Sequence, residues 1–204
     1  DNTFIAMELV RGQNLRDWSG QPHSWRTILD VYVQAGEGLA AADGAGLLDP
    51  QAQAVMDALA ELEPKPIEIL EPEQARRQPT PADAVKRVLE QAGLEAGPEP
   101  IADVDEIEIP TTAGSILARV YNPAPAGAAL PLIVYVHGGG WVIADVDTYD
   151  ASARALANRV GSVVVSLEYR RAPEYPFPAG HDDVLDATRW LVQHAAELGA
   201  DPAR

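Results

Sequence analysis

Cysteine is absent from this sequence of 204 residues. Its absence excludes a disulfide framework, a thiolate nucleophile and a zinc-thiolate site. Apolar runs are also short, and none approaches the roughly 20 residues that a membrane span requires. The N-terminus, Asp1-Asn2-Thr3-Phe4, has neither the basic region nor the apolar stretch of a signal peptide. We therefore expect a soluble, cytoplasmic protein with no membrane partner.

Positive charge is scarce in comparison with negative charge. The sequence has 15 Lys and Arg against 31 Asp and Glu, which gives a formal net charge of -16. Such a chain repels nucleic acid unless basic residues cluster locally. The pairs Arg76-Arg77 and Arg170-Arg171 are too short to form a basic patch. We therefore predict no nucleic-acid partner, and we predict neither a cofactor nor a metal site.

A recognisable nucleophile is missing as well. None of the serines lies in a G-x-S-x-G sequence, the sharp strand-to-helix turn that exposes a catalytic serine. His181 and His194 fall within a predicted helix over residues 179–198, and we interpret both as surface helix residues. The sequence therefore contains no candidate for the serine, the acid or the histidine of a catalytic triad.

The most informative segment present is an apolar run that ends in a histidine and three glycines. It reads Leu132-Ile133-Val134-Tyr135-Val136-His137-Gly138-Gly139-Gly140-Trp141. Consecutive glycines at the end of a strand allow backbone N–H groups to face a ligand without side-chain hindrance. An oxyanion hole for acyl transfer requires such N–H groups. The segment therefore indicates the oxyanion-binding part of an active site, without its nucleophile.

The order of motifs resembles the hormone-sensitive-lipase-like esterases of the α/β-hydrolase superfamily. Residues 137–141 match that family's H-G-G-G-[FW], and residues 169–174 match its tyrosine-arginine-leucine-alanine-proline-glutamate motif, with Arg171 in place of the leucine. Ala144 stands where a glycine is commoner. The resemblance covers about residues 47–204 and ends before the strand and turn that carry the catalytic serine in that family.

The resemblance implies a carboxylesterase that acts on short acyl esters, a small-molecule substrate. It implies oxyanion donors at Gly139 and Gly140, loop support from His137 and Gly138, and a substrate pocket bordered by Trp141 and Tyr149. Because no triad member is present, we predict that the chain as given is inactive alone.

The fold class expected from the resemblance is α/β, as an incomplete α/β-hydrolase fold with cap helices over residues 47–100 and the core over 101–204. Alternating apolar residues near 104–109 and 116–120 predict an antiparallel hairpin. The continuous apolar runs 132–136 and 162–167 predict buried parallel strands, with a crossing helix over residues 149–160. The family's strand order leaves the strand at 132–136 as an unguarded edge, which predicts self-association.

The cap region is predicted to contain two helices joined by extended segments. One helix covers residues 51–62, and another begins at Thr80 with Asp83 as its capping-box partner. The prolines between them favour extended connections. A last helix ends near Leu198, and we interpret Trp190 on it as a core residue.

Residues 1–46 carry a second, unrelated resemblance. Their pattern is similar to the hinge region of a bacterial serine/threonine protein kinase, in which Met7 would be the gatekeeper and residues 8–10 the hinge. The sequence has no glycine-rich phosphate loop, no strand lysine and no Asp-Phe-Gly for magnesium, all of which phosphoryl transfer requires. Kinase activity is therefore excluded.

Three alternatives to an esterase remain open from the sequence. The chain would be a non-catalytic binding module with an ester-sized pocket, a kinase-derived interaction segment on a hydrolase scaffold, or a chimeric fragment without selected function. Continuation of the parent gene past Arg204 into G-x-S-x-G would decide for the esterase.

Overall fold

The computed structural model describes residues 50–124 and 129–201, apart from the side chain of Glu68. The kinase-like residues 1–46, including Met7, lie outside this part. The helices are α1 (Pro50–Glu61), α2 (Pro72–Arg76), α3 (Pro81–Gln91), α4 (Asp150–Val160) and α5 (Ala179–His194). The strands are β1 (Asp103–Thr111), β2 (Gly114–Asn122), β3 (Leu132–Val136) and β4 (Val163–Leu167). Short 3-10 helices cover Ile67–Ile69 and Ala195–Leu198.

The four strands form one mixed sheet in the order β1-β2-β4-β3. β1 and β2 form an antiparallel hairpin in which Ile109 pairs with Ile116, and this confirms the predicted hairpin. β3 and β4 run parallel from the pair Leu132 and Val163, as predicted, with α4 between them in the chain. β2 lies antiparallel to β4, so the hairpin joins the parallel pair at β4 and β3 becomes the end strand.

Strand β4 lies at the centre of the core because both of its faces are covered. All five of its residues are buried. Val163, Val165 and Leu167 belong to one apolar cluster with Leu191 of α5, whereas Val164 belongs to a second cluster with alanines of α4. This alternation follows from the two-residue period of a strand. Trp190 is partly buried against the first cluster, in agreement with its interpretation as a core residue.

The proline-rich connection in the cap region is not wholly extended, and the sequence prediction was wrong here. Helix α2 begins at Pro72, at a position where a missing backbone N–H removes no helical hydrogen bond. The side-chain oxygen of Gln74 accepts a hydrogen bond from the Glu71 N–H at 3.3 Å and so helps to start the helix. The short helix places Arg76 at its C-terminal end.

Helix α3 begins as the sequence predicted. The Thr80 hydroxyl accepts from the Asp83 N–H at 3.3 Å, and the Asp83 carboxylate accepts from the Thr80 N–H at 2.7 Å. The predicted last helix ends at His194, and a 3-10 turn completes it as far as Leu198. In the described residues no helix is long and apolar enough to cross a membrane.

Candidate functional site

The candidate site lies where the parallel strands β3 and β4 end side by side. His137 follows β3 and is buried, with 3% of its surface exposed. Tyr169 follows β4, and its ring stacks on the imidazole with a centroid distance of 4.4 Å. Burial raises the pKa of Tyr169 to about 12, so its neutral O–H donates to the His137 carbonyl at 2.9 Å. The imidazole Nδ1–H donates to the Gly138 carbonyl at 2.8 Å.

The residues 137–144, called the glycine loop below, form a tight turn after β3. The Gly139 carbonyl accepts from the N–H groups of Val142 at 3.0 Å and Ile143 at 2.9 Å. Gly139 has φ +129° and Gly140 has φ +59°, values that favour glycine. A Cβ atom built on Gly139 would lie 1.9 Å from the Ile143 carbonyl oxygen. The turn therefore requires glycine at position 139.

A run of N–H groups in this loop donates to no protein acceptor. Within residues 50–124 and 129–201, the backbone N–H groups of residues 138–141, which include Gly139 and Gly140, donate no hydrogen bond to the protein. Backbone N–H groups are seldom left without a partner unless water or a ligand binds them. Backbone N–H groups of this kind are the donors that oxyanion holes use.

A cleft of about 330 Å³ lies between the glycine loop and the cap region. Gly139, Ile143, Ala144 and Tyr149 line its core side, and residues 79–81 line its cap side. The Tyr149 hydroxyl also approaches the loop closely, because a Cβ atom built on Gly138 would lie 2.8 Å from it. Of the two predicted pocket residues, Tyr149 therefore lines this cleft.

Trp141, the other predicted pocket residue, has its ring outside the set that lines the cleft. The ring stacks on His181 of α5 at a centroid distance of 4.2 Å and lies 4.9 Å from the Tyr169 ring. It is 38% exposed. The Trp141 carbonyl accepts from the Ala172 N–H at 2.8 Å, which joins the glycine loop to the segment after β4.

His181 and His194 both lie on α5, as predicted. His181 is exposed and stacks on Trp141, whereas His194 is half-buried and stacks on Trp190 at 4.0 Å. No group of three or more His, Asp or Glu side chains in the described part of the chain is placed to hold a metal ion.

Arg76 is a site residue that sequence reasoning missed. Its Nε donates to the Val142 carbonyl at 2.7 Å, and its Nη2 donates to the Ala172 carbonyl at 2.7 Å. The guanidinium also forms a bidentate pair with Glu174, at 2.8 and 2.7 Å. Its only signal in the sequence was the pair Arg76-Arg77, which reveals nothing about a partner almost 70 residues further along the chain.

Arg171, which stands where the resembled family has leucine, also contacts the loop. Its guanidinium donates to the Ala144 carbonyl and pairs with Glu168 at 2.9 Å. The Glu168 carboxylate in turn accepts from the Val146 N–H at 2.9 Å. Ala144 has φ +64°, so the residue that replaces a glycine retains a left-handed conformation.

Comparison with known proteins agrees with this architecture. Residues 133–204 match the family described as alpha/beta hydrolase fold. The chain is similar to a hyperthermophilic esterase from the archaeon Pyrobaculum calidifontis, with a TM-score of 0.60 and 37% identity over 76% of this chain and 46% of that one. The fold is that of an α/β hydrolase. In the described part, this hydrolase fold is incomplete and has four strands.

Curated relatives of the hydrolase region include ester hydrolases. The chain is 52% identical to carboxylesterase NlhH of Mycobacterium tuberculosis over 89 residues. This aligned region covers 44% of this chain and 28% of that protein. It is also 39% identical to ethyl acetate hydrolase of Pseudomonas putida over 145 residues. That aligned region covers 68% of this chain and 42% of that protein. The chain therefore spans less than half of the length of these relatives.

Proposed function

We propose that this chain supplies the oxyanion-binding part of a carboxylic ester hydrolase that acts on short acyl esters. In this proposal the N–H groups of Gly139 and Gly140 bind the oxygen of the reacting carbonyl as it becomes negative. His137 and Gly138 support the loop, and Tyr149 borders the space for the ester, whereas the Trp141 ring packs on His181 beside it.

The observation that carries the proposal is the run of unbonded N–H groups, those of Gly139 and Gly140 among them, on a turn of defined shape. Their backbone is held before any substrate arrives, since the Gly139 carbonyl accepts from the N–H groups of Val142 and Ile143. Donors that need no reorganisation stabilise developing charge more effectively than water does. The adjacent cleft of about 330 Å³ is large enough for a short acyl ester.

The relatives favour ester hydrolysis over a binding module. NlhH is a carboxylesterase, and the Pseudomonas putida relative is an ethyl acetate hydrolase. An ester as small as ethyl acetate is compatible with a short acyl substrate.

The chain as given is proposed to be inactive alone. Nucleophilic catalysis needs a hydroxyl within hydrogen-bond reach of a general base. Ser162 and Ser166 are buried, with 1% and 0% of their surfaces exposed, and the sequence has no G-x-S-x-G. We expect no turnover of a p-nitrophenyl short-chain ester and no labelling by a fluorophosphonate. Stoichiometric labelling of any serine would contradict this expectation.

The decisive experiment completes the fold. The part of NlhH that follows its region of similarity is joined after Arg204, and hydrolysis of short-chain esters is measured. We expect activity, and we expect Gly139→Pro to lower kcat by about 10² to 10³ or more, because proline deletes one N–H and cannot adopt the φ of +129° that the turn requires.

Gly97→Ala is the matched control for this experiment. A Cβ atom on Gly97 meets no other atom within 4 Å, so kcat should not change. Thermal melting verifies that each variant is folded. An active chimera that tolerates Gly139→Pro with undiminished kcat would show that the glycine loop has another role.

A further inference from the structure

The guanidinium of Arg76 connects three parts of the molecule that are far apart in sequence. It lies at the end of α2 in the cap region, it donates to the Val142 carbonyl in the glycine loop, and it donates to the Ala172 carbonyl after β4. Both hydrogen bonds are 2.7 Å long, which is short for N–H···O and typical of a charged donor. A single side chain therefore holds two backbone segments of the site.

The carbonyl that Arg76 holds belongs to the turn that aims the proposed donors. The peptide unit that carries the Val142 carbonyl also carries the Ile143 N–H, which donates to the Gly139 carbonyl at 2.9 Å and closes the turn. Ala172 donates its N–H to the Trp141 carbonyl in the same loop. A shift of the Arg76 side chain would therefore move the peptide units on the C-terminal side of Gly139 and Gly140.

Glu174 fixes the orientation of the Arg76 guanidinium. The bidentate pair defines the plane of the side chain, and the hydrogen bonds from Glu174 raise the pKa of Arg76. The Arg76 side chain is 22% exposed, whereas the neighbouring Arg77 is 77% exposed and pairs with Glu73 on its own helix. Of these two adjacent arginines, Arg76 alone contacts the glycine loop.

We propose that Arg76 is a positioning residue for the glycine loop, through which the cap region sets the geometry of the oxyanion donors. This inference rests on the proposed function for its catalytic meaning. Its structural part, the holding of the loop by Arg76, is independent of that function.

The structural part is tested on the full chain by NMR-detected hydrogen exchange. In Arg76→Ala we expect the N–H groups of Val142, Ile143 and Ala172 to exchange about tenfold faster or more, because charged hydrogen bonds that hold their segments are lost. Arg77→Ala is the matched control, and its exchange rates should equal those of the wild type. Equal rates in all three proteins would overturn the proposal.

Arg76→Lys and Glu174→Gln separate loop positioning from a mere salt bridge. Lysine retains the charge and can pair with Glu174, but one ammonium does not reproduce the planar fork that reaches two carbonyls and a carboxylate. We expect fast loop exchange in Arg76→Lys and a smaller increase in Glu174→Gln, because the glutamine amide oxygen still accepts one hydrogen bond from the guanidinium. The reverse pattern would overturn the proposal. If Arg76→Ala does not melt cooperatively, these two variants still test whether Arg76 positions the glycine loop.

The catalytic part is tested in the chimera described above. We expect Arg76→Lys to lower kcat by about tenfold or more while KM changes by less than about threefold, because the donors act on the transition state. Unchanged kcat would overturn the catalytic part. An inactive wild-type chimera would count against the proposed function alone, since the exchange experiment decides the role of Arg76 without activity.

Discussion

At the scale of single residues, neighbouring glycines of the loop have different reasons to be glycine. Position 139 has no room for a side chain, because a Cβ atom would lie 1.9 Å from the Ile143 carbonyl oxygen. Position 140 has open space around a built Cβ, and only its φ of +59° disfavours other residues. Substitution by alanine should therefore separate steric exclusion from backbone preference.

We expect Gly139→Ala to destabilise the chain by more than about 3 kcal/mol, since both a clash and a positive φ oppose it. Gly140→Ala should cost only about 1–2 kcal/mol, the ordinary cost of a left-handed residue. Urea unfolding measures both, with Gly97→Ala as the control. Equal costs at positions 139 and 140 would contradict the described turn.

Glu174 offers a residue-scale test by pH. The hydrogen bonds from Arg76 lower the pKa of Glu174 from 4.5 to about 2. Because the folded pKa is depressed, the pair is fully present above pH 4.5 and is lost as the pH falls toward 2. Carboxyl NMR titration should give a pKa of about 2 for Glu174 in the wild type and a clearly higher pKa in Arg76→Ala, where a backbone hydrogen bond and the charge of Arg171 still lower it. A wild-type value near 4.5 would contradict the bidentate pair.

Arg171 and Ala144, the two residues that differ from the pattern of the esterase family, contact each other. Arg171 replaces a leucine, Ala144 replaces a glycine, and the Arg171 guanidinium donates to the Ala144 carbonyl. A hydrogen bond to a charged donor is worth more than one to a neutral donor. It therefore offsets part of the strain of a non-glycine residue at φ +64°.

At the scale of elements, an ion pair with a buried carboxylate connects the end of β4 to α5. Asp183 of α5 is 1% exposed, and its carboxylate accepts from the Arg170 Nε at 2.8 Å and from the Arg170 backbone N–H at 3.0 Å. These hydrogen bonds fix the segment that continues to Ala172 and Glu174. The placement of α5 therefore contributes to the geometry around the glycine loop.

We expect Asp183→Ala to destabilise the chain by about 1–3 kcal/mol, because it leaves the Arg170 backbone N–H without its acceptor, whereas the Arg170 guanidinium is 28% exposed and can bind water. Asp182→Ala is the matched control, since Asp182 is exposed in the same helical turn and should cost less than about 1 kcal/mol. Thermal or urea unfolding measures both variants. Similar losses for the two would contradict the importance of the buried carboxylate.

At the scale of the whole molecule, the described sheet has an open edge. β3 is the end strand, and in residues 50–124 and 129–201 no further strand pairs with its outer side. Unpaired N–H and C=O groups on an apolar strand favour pairing with another chain unless charges or prolines guard the edge. The sequence Leu-Ile-Val-Tyr-Val of β3 contains no such guard.

We therefore predict that the polypeptide self-associates at micromolar concentration. Val136→Lys, at a position 39% exposed, should reduce association because a charge at the edge opposes strand pairing. Val160→Lys, at a position 57% exposed on α4, should not. Size-exclusion chromatography with light scattering measures all three proteins. A wild-type monomer of 21.8 kDa would count against an open edge in solution.

Local patterns in the sequence were sufficient to predict most elements of the fold. Alternation predicted the β1–β2 hairpin, continuous apolar runs predicted β3 and β4 as parallel strands, and Thr80 with Asp83 predicted the start of α3. These signals are local because strand period, strand burial and helix capping depend on residues close in the chain. The same local reading placed the three glycines directly after β3, where the loop is found.

What only the tertiary structure decided are the contacts between distant segments. The antiparallel pairing of β2 with β4 is one, and the stacking of Trp141 on His181, which holds this ring away from the cleft, is another. Arg76 is the third, because its partners Val142 and Ala172 are backbone carbonyls 66 and 96 residues away. Every residue has a backbone carbonyl, so no pattern of side chains in the sequence predicts which carbonyl accepts a hydrogen bond from a given arginine. The sequence alone thus determined the segment that carries the proposed donors, and contacts between distant segments, such as those of Arg76 with the Val142 and Ala172 carbonyls, decided what surrounds that segment.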